Sequence, residues 1–228
     1  MKKIVVMASL LLAGFNLFAQ QQQKEDAATF AKEIQQPGVQ VFDVRTAGEY
    51  NSGHLANALQ ADYNRQDEFL ERVKYLNKEK PVYVYCLGGG RSAKAVDWMR
   101  KNGFTNVVEL EGGINAWKQA GLPVEGVGIS KAQLSMDAYK SSIMKGWVLT
   151  DVGAAWCPPC RQMEPVLASL LAKHKNLKLV KVDGGNDTEV MKQINALKLP
   201  TFIMYKDGVE KGRITGVVSQ ETLEAMMK

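Results

Sequence analysis

The chain has 228 residues, 46% of them hydrophobic and 23% charged, with a formal net charge of +5 at pH 7. This is an ordinary globular composition, and the length predicts two domains of roughly 100 residues, each large enough for its own core. The lysines are scattered or interleaved with aliphatic residues, which indicates solvated faces and argues against a nucleic-acid-binding patch.

The N-terminus has the pattern of a secretory signal. Lys2 and Lys3 precede an apolar run over residues 4–18, and the small residue Ala19 is a suitable cleavage site. The run is short for a membrane span, so we expect cleavage after Ala19, a linker over residues 20–26 and no stable membrane span in the mature chain. An uncleaved anchor is the alternative. We therefore expect a periplasmic or otherwise exported protein.

Strands and helices are predicted to alternate over residues 27–125, as in an α/β domain with a parallel sheet. Residues 82–85 form an unbroken apolar run of β-favouring residues, which is typical of a strand buried on both faces. The predicted helices cover residues 24–35, 68–76, 93–102 and 113–117, and the predicted strands cover residues 39–44, 82–85 and 107–110.

A glycine-rich loop follows the strand at residues 82–85 and contains Cys86, Gly88, Gly89, Gly90, Arg91 and Ser92. Glycines allow backbone amides to turn toward one point, and a helix N-terminus follows, so the loop can stabilise a thiolate or persulfide anion on Cys86. Arg91 adds a positive charge at the rim. An inert buried cysteine beside a tight turn is the alternative.

Residues 27–125 resemble a single rhodanese domain. The motifs that carry the resemblance are Asp43-Val44-Arg45, Glu49-Tyr50, Gly53-His54-Leu55, Tyr85-Cys86 to Arg91-Ser92, Gly103-Phe104, and Leu110-Glu111-Gly112-Gly113 with Trp117. The resemblance implies that Cys86 accepts a sulfane sulfur as a persulfide and passes it to an acceptor. Arg91 lies five residues after Cys86, as in the shorter loop of sulfurtransferases rather than the longer loop of phosphate- and arsenate-handling relatives.

Two departures from the rhodanese pattern affect this expectation. Leu87 stands where many active sulfurtransferases carry arginine, which removes a positive charge that attracts thiosulfate and argues against thiosulfate as the natural donor. Ala56-Asn57 replaces a common proline-glycine pair. We expect His54 to be a structural hydrogen-bonding residue rather than a catalyst.

A segment rich in glycine and proline, residues 121–130, is the predicted boundary to a second domain at residues 126–228. A hairpin turn is predicted at residues 206–208. The predicted helices cover residues 131–144, 161–173, 189–197 and 220–227, and the predicted strands cover residues 148–155, 177–182, 201–205 and 213–217.

The second half contains the stretch Trp156-Cys157-Pro158-Pro159-Cys160 between a predicted strand and a predicted helix. Two cysteines at this spacing can interconvert between a dithiol and a disulfide. The helix dipole and unpaired amides favour a thiolate on Cys157, so we expect Cys157 to attack and Cys160, one turn in and more shielded, to resolve the mixed disulfide. Half of a zinc site is the alternative, although no second cysteine pair is present.

This half also resembles a thioredoxin domain, which implies a thioredoxin fold with a mixed central sheet. Asp151 matches the buried acid that manages the proton of the resolving cysteine, and Lys181 matches the lysine near that acid. Pro165 and Gly216 match a helix-kinking proline and a glycine near the active site. The resemblance assigns the docking of a partner chain to Trp156 and to the cis-proline loop, Leu199, Pro200 and Thr201.

Together these features predict an enzyme with two activities, thiol–disulfide oxidoreduction at Cys157 and Cys160 and sulfur transfer at Cys86. The expected partners are protein disulfides or thiols, an external electron donor and a sulfane-sulfur donor, with no cofactor and no nucleic acid. One alternative makes the rhodanese-like half a binding module without catalysis. Another makes the chain a redox-regulated adaptor without turnover, which a substantially buried cysteine pair would favour.

Overall fold

The structure, a computed structural model, describes residues 23–127 and 132–228. The predicted signal sequence and its cleavage site lie outside these residues, as does part of the predicted domain boundary. Within the two described ranges, no helix is both long enough and apolar enough to cross a membrane.

The first half folds around a five-stranded sheet with the strand order β1-β5-β4-β2-β3, in which every neighbouring pair is parallel. This confirms the predicted α/β fold with a parallel sheet. The elements are β1 (Lys24–Glu25), α1 (Ala27–Glu33), β2 (Gln40–Asp43), α2 (Ala47–Asn51), β3 (Leu59–Gln60), α3 (Gln66–Val73), β4 (Val82–Tyr85), α4 (Gly90–Lys101), β5 (Val107–Leu110) and α5 (Gly113–Gln119).

The central strand β4 is buried along its whole length, as its unbroken apolar sequence predicts. Tyr83 and Tyr85 point into a core shared with α1 and α5, whereas Val82 and Val84 point into a core shared with α3 and α4. Helices therefore cover both faces of the sheet. Cys86 follows β4 at the carboxyl edge of the sheet, where ligands of open parallel sheets bind.

The first strand of this sheet begins earlier in the sequence than predicted. The helix expected at residues 24–35 begins only at Ala27, because the Asp26 carboxylate caps the amides of Ala28 and Thr29. Residues 24 and 25, expected in a linker, instead pair as β1 with β5. Two short elements, α2 and β3, were not predicted from the sequence at all.

The second half folds around a four-stranded mixed sheet with the strand order β7-β6-β8-β9. Strands β6 and β7 are parallel, whereas β8 is antiparallel to both β6 and β9. The mixed sheet is the one implied by the thioredoxin resemblance. The elements are α6 (Met136–Ile143), β6 (Trp147–Gly153), α7 (Pro158–Lys173), β7 (Leu177–Asp183), α8 (Thr188–Gln193), β8 (Thr201–Lys206), β9 (Val209–Thr215) and α9 (Gln220–Ala225).

Several boundaries in this half differ from the prediction for local reasons. Helix α6 begins at Met136 rather than residue 131, because Ser135 caps it. Helix α8 ends near residue 194, because Asn195 takes a left-handed conformation with φ of 52°. The predicted hairpin turn is present, with positive φ at Asp207 and Gly208, and β9 begins directly after it.

Candidate functional sites

The redox cysteines lie at the start of α7. Cys157 is the N-cap residue of that helix, and Cys160 donates its backbone amide to the Cys157 sulfur at 3.3 Å. Pro158 and Pro159 occupy the first helical positions, where a missing N–H costs no intrahelical hydrogen bond. The two cysteines are disulfide-bonded, with their Cα atoms 5.3 Å apart. The predicted helix N-terminus at Cys157 is therefore present.

A half-buried acid, Asp151, lies beside the second cysteine. A Cβ placed on Gly153 would be 3.2 Å from Asp151 Oδ1 and 3.5 Å from Cys160 Sγ, so this glycine leaves room between the carboxyl group and the sulfur. Burial raises the pKa of Asp151, although the positive charge of Lys181 on the neighbouring strand partly opposes the shift. Both cysteine and acid line a cavity of about 480 Å³. A proton acceptor is thus available to Cys160.

The cis-proline loop lies close to the redox helix. The Leu199–Pro200 peptide bond is cis, and Gly216 donates its amide to the Pro200 carbonyl oxygen at 2.9 Å. Thr201 holds the loop through a 2.6 Å hydrogen bond from Oγ1 to the Lys198 carbonyl. Leu199 and Gly216 share a cavity of about 330 Å³ with Pro159 and with side chains of α3 from the other half of the chain.

The first cysteine is more shielded than the second, which reverses the prediction. Cys157 has no exposed surface and Trp156 is 6% exposed, whereas Cys160 is half-buried. The rhodanese-like half covers the motif. Gln60 donates its backbone amide to the Trp156 carbonyl oxygen at 2.8 Å, and the Arg72 guanidinium lies 4.9 Å from the Trp156 ring centre.

A second contact joins the two halves. The Asn51 side-chain amide donates a 2.7 Å hydrogen bond to the Gly185 carbonyl oxygen, and the Tyr50 ring centre lies 6.0 Å from that of Trp156.

His54 is held in place by Tyr50. Its ring stacks on the Tyr50 ring with the two centres 3.8 Å apart, and its Nδ1 contacts the Tyr50 carbonyl oxygen. His54 thus has the structural hydrogen bond expected of it.

The Cys86 sulfur lies within a cradle of donors. Gly89 donates its amide to Cys86 Sγ at 3.1 Å, and Ser92 Oγ lies 3.3 Å from the same atom. Burial opposes ionisation, but the hydrogen bonds from Ser92 and from the amides of Gly89 and Gly88 outweigh it and lower the pKa of Cys86. Helix α4 begins at Gly90, so its N-terminus also faces the sulfur. The arrangement stabilises an anionic sulfur.

Gly112 and Gly113, which follow β5, bring their backbone directly against the Cys86 loop. Gly113 has a φ of 61°, and a Cβ there would lie 2.5 Å from the Cys86 carbonyl oxygen. That oxygen accepts a 2.9 Å hydrogen bond from the amide of Ile114. Glycine is required at residue 113 because the Cys86 loop passes directly against its backbone.

The rim charge predicted at Arg91 is compensated. Its guanidinium makes two hydrogen bonds to the Glu49 carboxylate, at 2.6 and 2.8 Å. Arg91 and the capping residue Thr46 together lower the pKa of Glu49 to about 2, against its partial burial. Arg91 therefore organises the loop through Glu49 instead of presenting an unpaired positive charge.

Four residues near the two sites were not assigned a role from the sequence: Glu49, Gln60, Arg72 and Glu109. Glu109 is 2% exposed and accepts a 2.8 Å hydrogen bond from Ser92 Oγ. Its position as the acidic residue in the apolar strand at 107–110 was the available signal. In the described parts of the chain, no group of three or more candidate ligands could hold a metal ion.

Comparison with protein families agrees with this geometry. Residues 26–120 match the family model of the rhodanese-like domain, and residues 130–228 match that of thioredoxin. A thioredoxin from Chlamydia trachomatis is 34% identical over 90 residues, covering 40% of this chain and 88% of the relative. A tRNA uridine(34) hydroxylase from Escherichia coli is 35% identical over 102 residues, covering 42% of this chain and 29% of that protein.

Among solved structures, a rhodanese-related protein from Thermoplasma volcanium is 34% identical. The match has a TM-score of 0.41 and covers 46% of this chain and 98% of the other. From the family models and the relatives, the C-terminal half is a thioredoxin-like oxidoreductase domain. The chain belongs to the thioredoxin family through that half and carries a rhodanese-like domain in front of it.

Proposed function

We propose that this protein is an exported enzyme that couples thiol–disulfide exchange at Cys157 and Cys160 to sulfur transfer at Cys86. The observation that carries the sulfur-transfer part is the cradle around Cys86, in which the Gly89 amide and the Ser92 hydroxyl approach the sulfur. Export rests on the signal-like pattern of residues 1–19. Intact mass of the protein recovered from the cell envelope tests it, with loss of residues 1–19 expected.

The redox half-reaction follows from the residues at the start of α7. In the dithiol form, the Cys157 thiolate attacks a partner disulfide and forms a mixed disulfide with one partner sulfur, and the other partner thiolate leaves. Asp151 accepts the proton of Cys160, and the Cys160 thiolate then displaces the partner and closes the disulfide. An external electron donor restores the dithiol. Pro200 and its neighbours bind the extended partner chain.

The sulfur half-reaction takes place at the carboxyl edge of the parallel sheet. The Cys86 thiolate attacks the sulfane sulfur of a donor, the bond from that sulfur to the donor breaks, and the remainder of the donor leaves with the bonding electrons. The product is a persulfide on Cys86, held by the same amides and hydroxyl that lower the pKa of the thiol.

In the coupled cycle, the Cys157 thiolate attacks the outer sulfur of the persulfide and Cys86 leaves as a thiolate. The Cys160 thiolate then attacks Cys157, hydrosulfide leaves and the disulfide forms. We expect Cys160→Ser to abolish steady-state sulfide release while persulfide loading on Cys86 continues. Unchanged sulfide release in this variant would contradict the coupling.

Burial of Cys157 supports a second candidate, a disulfide oxidoreductase whose rhodanese-like domain is a non-catalytic partner-binding module. Gln60, Arg72 and Asn51 make the contacts between the halves, and none of them belongs to the Cys86 loop. Burial is also the feature expected of an adaptor without turnover. Turnover of a protein disulfide separates these functions: the adaptor gives none, and the binding module gives turnover that Cys86→Ala leaves unchanged.

A further inference from the structure

The Ser92 hydroxyl beside Cys86 has one proton and three acceptors around it. Its oxygen lies 2.8 Å from Glu109 Oε1, 3.0 Å from the Gly89 carbonyl oxygen and 3.3 Å from Cys86 Sγ. Hydrogen bonds to an ionised carboxylate are roughly twice as strong as those between neutral groups. The buried Glu109 carboxylate therefore competes with the sulfur for the hydroxyl proton. Only the Ser92 hydroxyl separates its negative charge from Cys86.

The other charged groups around the loop do not give it a positive character. Two bonds to Glu49 and the charge of the buried Asp62 partly compensate the positive charge of Arg91, which also acts on Cys86. Lys24 reaches Glu109 Oε2 at 3.4 Å, but its side chain is 41% exposed, so solvent weakens its compensation of the Glu109 charge. The charged groups around the Cys86 loop are therefore three acids, Glu49, Asp62 and Glu109, and two cations, Arg91 and Lys24. The residue that follows Cys86 in the chain is Leu87, which is 43% exposed.

We propose that Glu109 is a specificity-determining residue that turns the Cys86 site away from the inorganic dianion thiosulfate and toward sulfane-sulfur donors with at most one negative charge and an apolar group. The inference rests on the proposed sulfur-carrier function of Cys86. A dianion entering the loop meets the Glu109 charge without an unpaired cation to offset it, whereas an organic donor can place its apolar part against Leu87.

Two small sulfane-sulfur donors, thiosulfate and methanethiosulfonate, isolate the effect of donor charge. The Cys86 thiolate attacks the outer sulfur of thiosulfate and releases sulfite, or the outer sulfur of methanethiosulfonate and releases methanesulfinate. Both reactions break one S–S bond and leave the same persulfide on Cys86. Methanethiosulfonate carries a methyl group where thiosulfate carries an oxygen, and has one negative charge fewer.

The experiment measures the rate at which the full chain gains one sulfur atom by intact mass, in a background where Cys157 and Cys160 are both replaced by serine. We expect Glu109→Gln to speed loading from thiosulfate about tenfold and from methanethiosulfonate about threefold, because the repulsion scales with donor charge. The preference for methanethiosulfonate then falls about threefold. Any change in thiolate population acts on both donors and cancels in this ratio.

Lys24→Met is the control of opposite sign, because it leaves Glu109 without its cation and should increase the preference. If Glu109→Gln does not fold, Lys24→Met carries the test: it should slow thiosulfate loading more than methanethiosulfonate loading. Loading from both donors with a ratio that neither substitution alters would overturn the role of Glu109 alone. No loading from either donor would overturn the sulfur-carrier function and this inference together.

Discussion

The backbone amide of Gln60, in the rhodanese-like sheet, donates a 2.8 Å hydrogen bond to the carbonyl oxygen of Trp156, the residue before Cys157. The bond joins two residues that are far apart in the chain and lies beside a cysteine with no exposed surface. A partner disulfide must approach Cys157 closely to react with it. Redox turnover on an external partner therefore requires the two halves to separate at this contact.

Weakening that contact should make the redox pair more reactive. Arg72 packs on the Trp156 ring and donates a 2.7 Å hydrogen bond to Gln60 Oε1, so Arg72→Ala removes two supports of the closed arrangement. A loss of about 1 kcal/mol would raise the rate of disulfide reduction by a small thiol about fivefold.

Arg65→Ala is the matched control for this prediction, because Arg65 lies beside the same helix with its side chain 64% exposed. The measurement is the rate of Cys157–Cys160 reduction, followed by trapping of the free thiols. Equal rates in the two variants would mean that the contact at Trp156 does not limit access to the disulfide.

The half-buried acid of the redox site, Asp151, should lower the stability of the fold at neutral pH while it supports activity. Burial raises the pKa of Asp151, so its ionised form is disfavoured in the folded state. The stabilisation linked to its protonated form is present below the unfolded pKa and is lost as the pH rises through the folded one. We expect Asp151→Asn to increase stability to denaturant at pH 7 but not near pH 3, and to slow mixed-disulfide resolution at least about tenfold.

Stability curves at the two pH values and stopped-flow resolution kinetics check this prediction. Lys181→Met is the complementary variant, because it removes the cation that opposes the shift and should raise the pKa of Asp151 further. A stability gain of equal size at both pH values would show that the pKa of Asp151 does not differ between the folded and unfolded states, which would contradict the raised pKa.

A methyl group at residue 113 should disrupt the Cys86 loop. The Cβ of Gly113→Ala would lie 2.5 Å from the Cys86 carbonyl oxygen, in a backbone with positive φ. We expect a destabilisation of about 3 kcal/mol and loss of persulfide loading. Gly121→Ala is the control, since its φ is 70° but nothing lies within 4 Å of the added carbon, so about 1 kcal/mol is expected. Similar losses in both variants would exclude the steric explanation.

The Glu49–Arg91 pair should contribute stability with a defined pH dependence. Its hydrogen bonds lower the pKa of Glu49 from its ordinary value to about 2. A lowered acid pKa stabilises the fold above the unfolded value, and the contribution disappears as the pH falls through the folded value. Glu49→Gln should therefore cost about 1 kcal/mol at pH 6 and less toward pH 2. Urea titrations at several pH values measure it, and a pH-independent cost would contradict the pairing.

The elements with the clearest sequence patterns were predicted to the residue. Strands β4 and β5 occupy residues 82–85 and 107–110 as expected, because an apolar run between polar segments marks a strand buried in a parallel sheet. Strand β3 has two residues and exists through its pairing with β2, which no local pattern records. Helix α2 has five residues and depends on the capping box of Thr46 and Glu49, a signal that was present but not used.

The candidate sites divide in the same way. The Cys86 loop and the start of α7 are built from consecutive residues, so their local structure could be predicted from the sequence. Cys157 is buried beside Trp156, which contacts Gln60 of the other domain, and Glu109 lies near Cys86 through its contact with Ser92. Contacts between residues far apart in the chain depend on the tertiary structure, and for this reason the exposures of the two redox cysteines were predicted in the wrong order.

The most direct test of the sulfur-carrier function is the intact mass of the reduced chain lacking residues 1–19, after brief exposure to an organic persulfide and separately to thiosulfate. Cys157 and Cys160 are both replaced by serine in this chain, so that the redox pair cannot remove the sulfur from Cys86. We expect a gain of one sulfur atom from the organic donor, absent when Cys86 is also replaced by serine. No adduct from either donor, or the same adduct in Cys86→Ser, would contradict the account and leave a disulfide oxidoreductase with a rhodanese-shaped binding module.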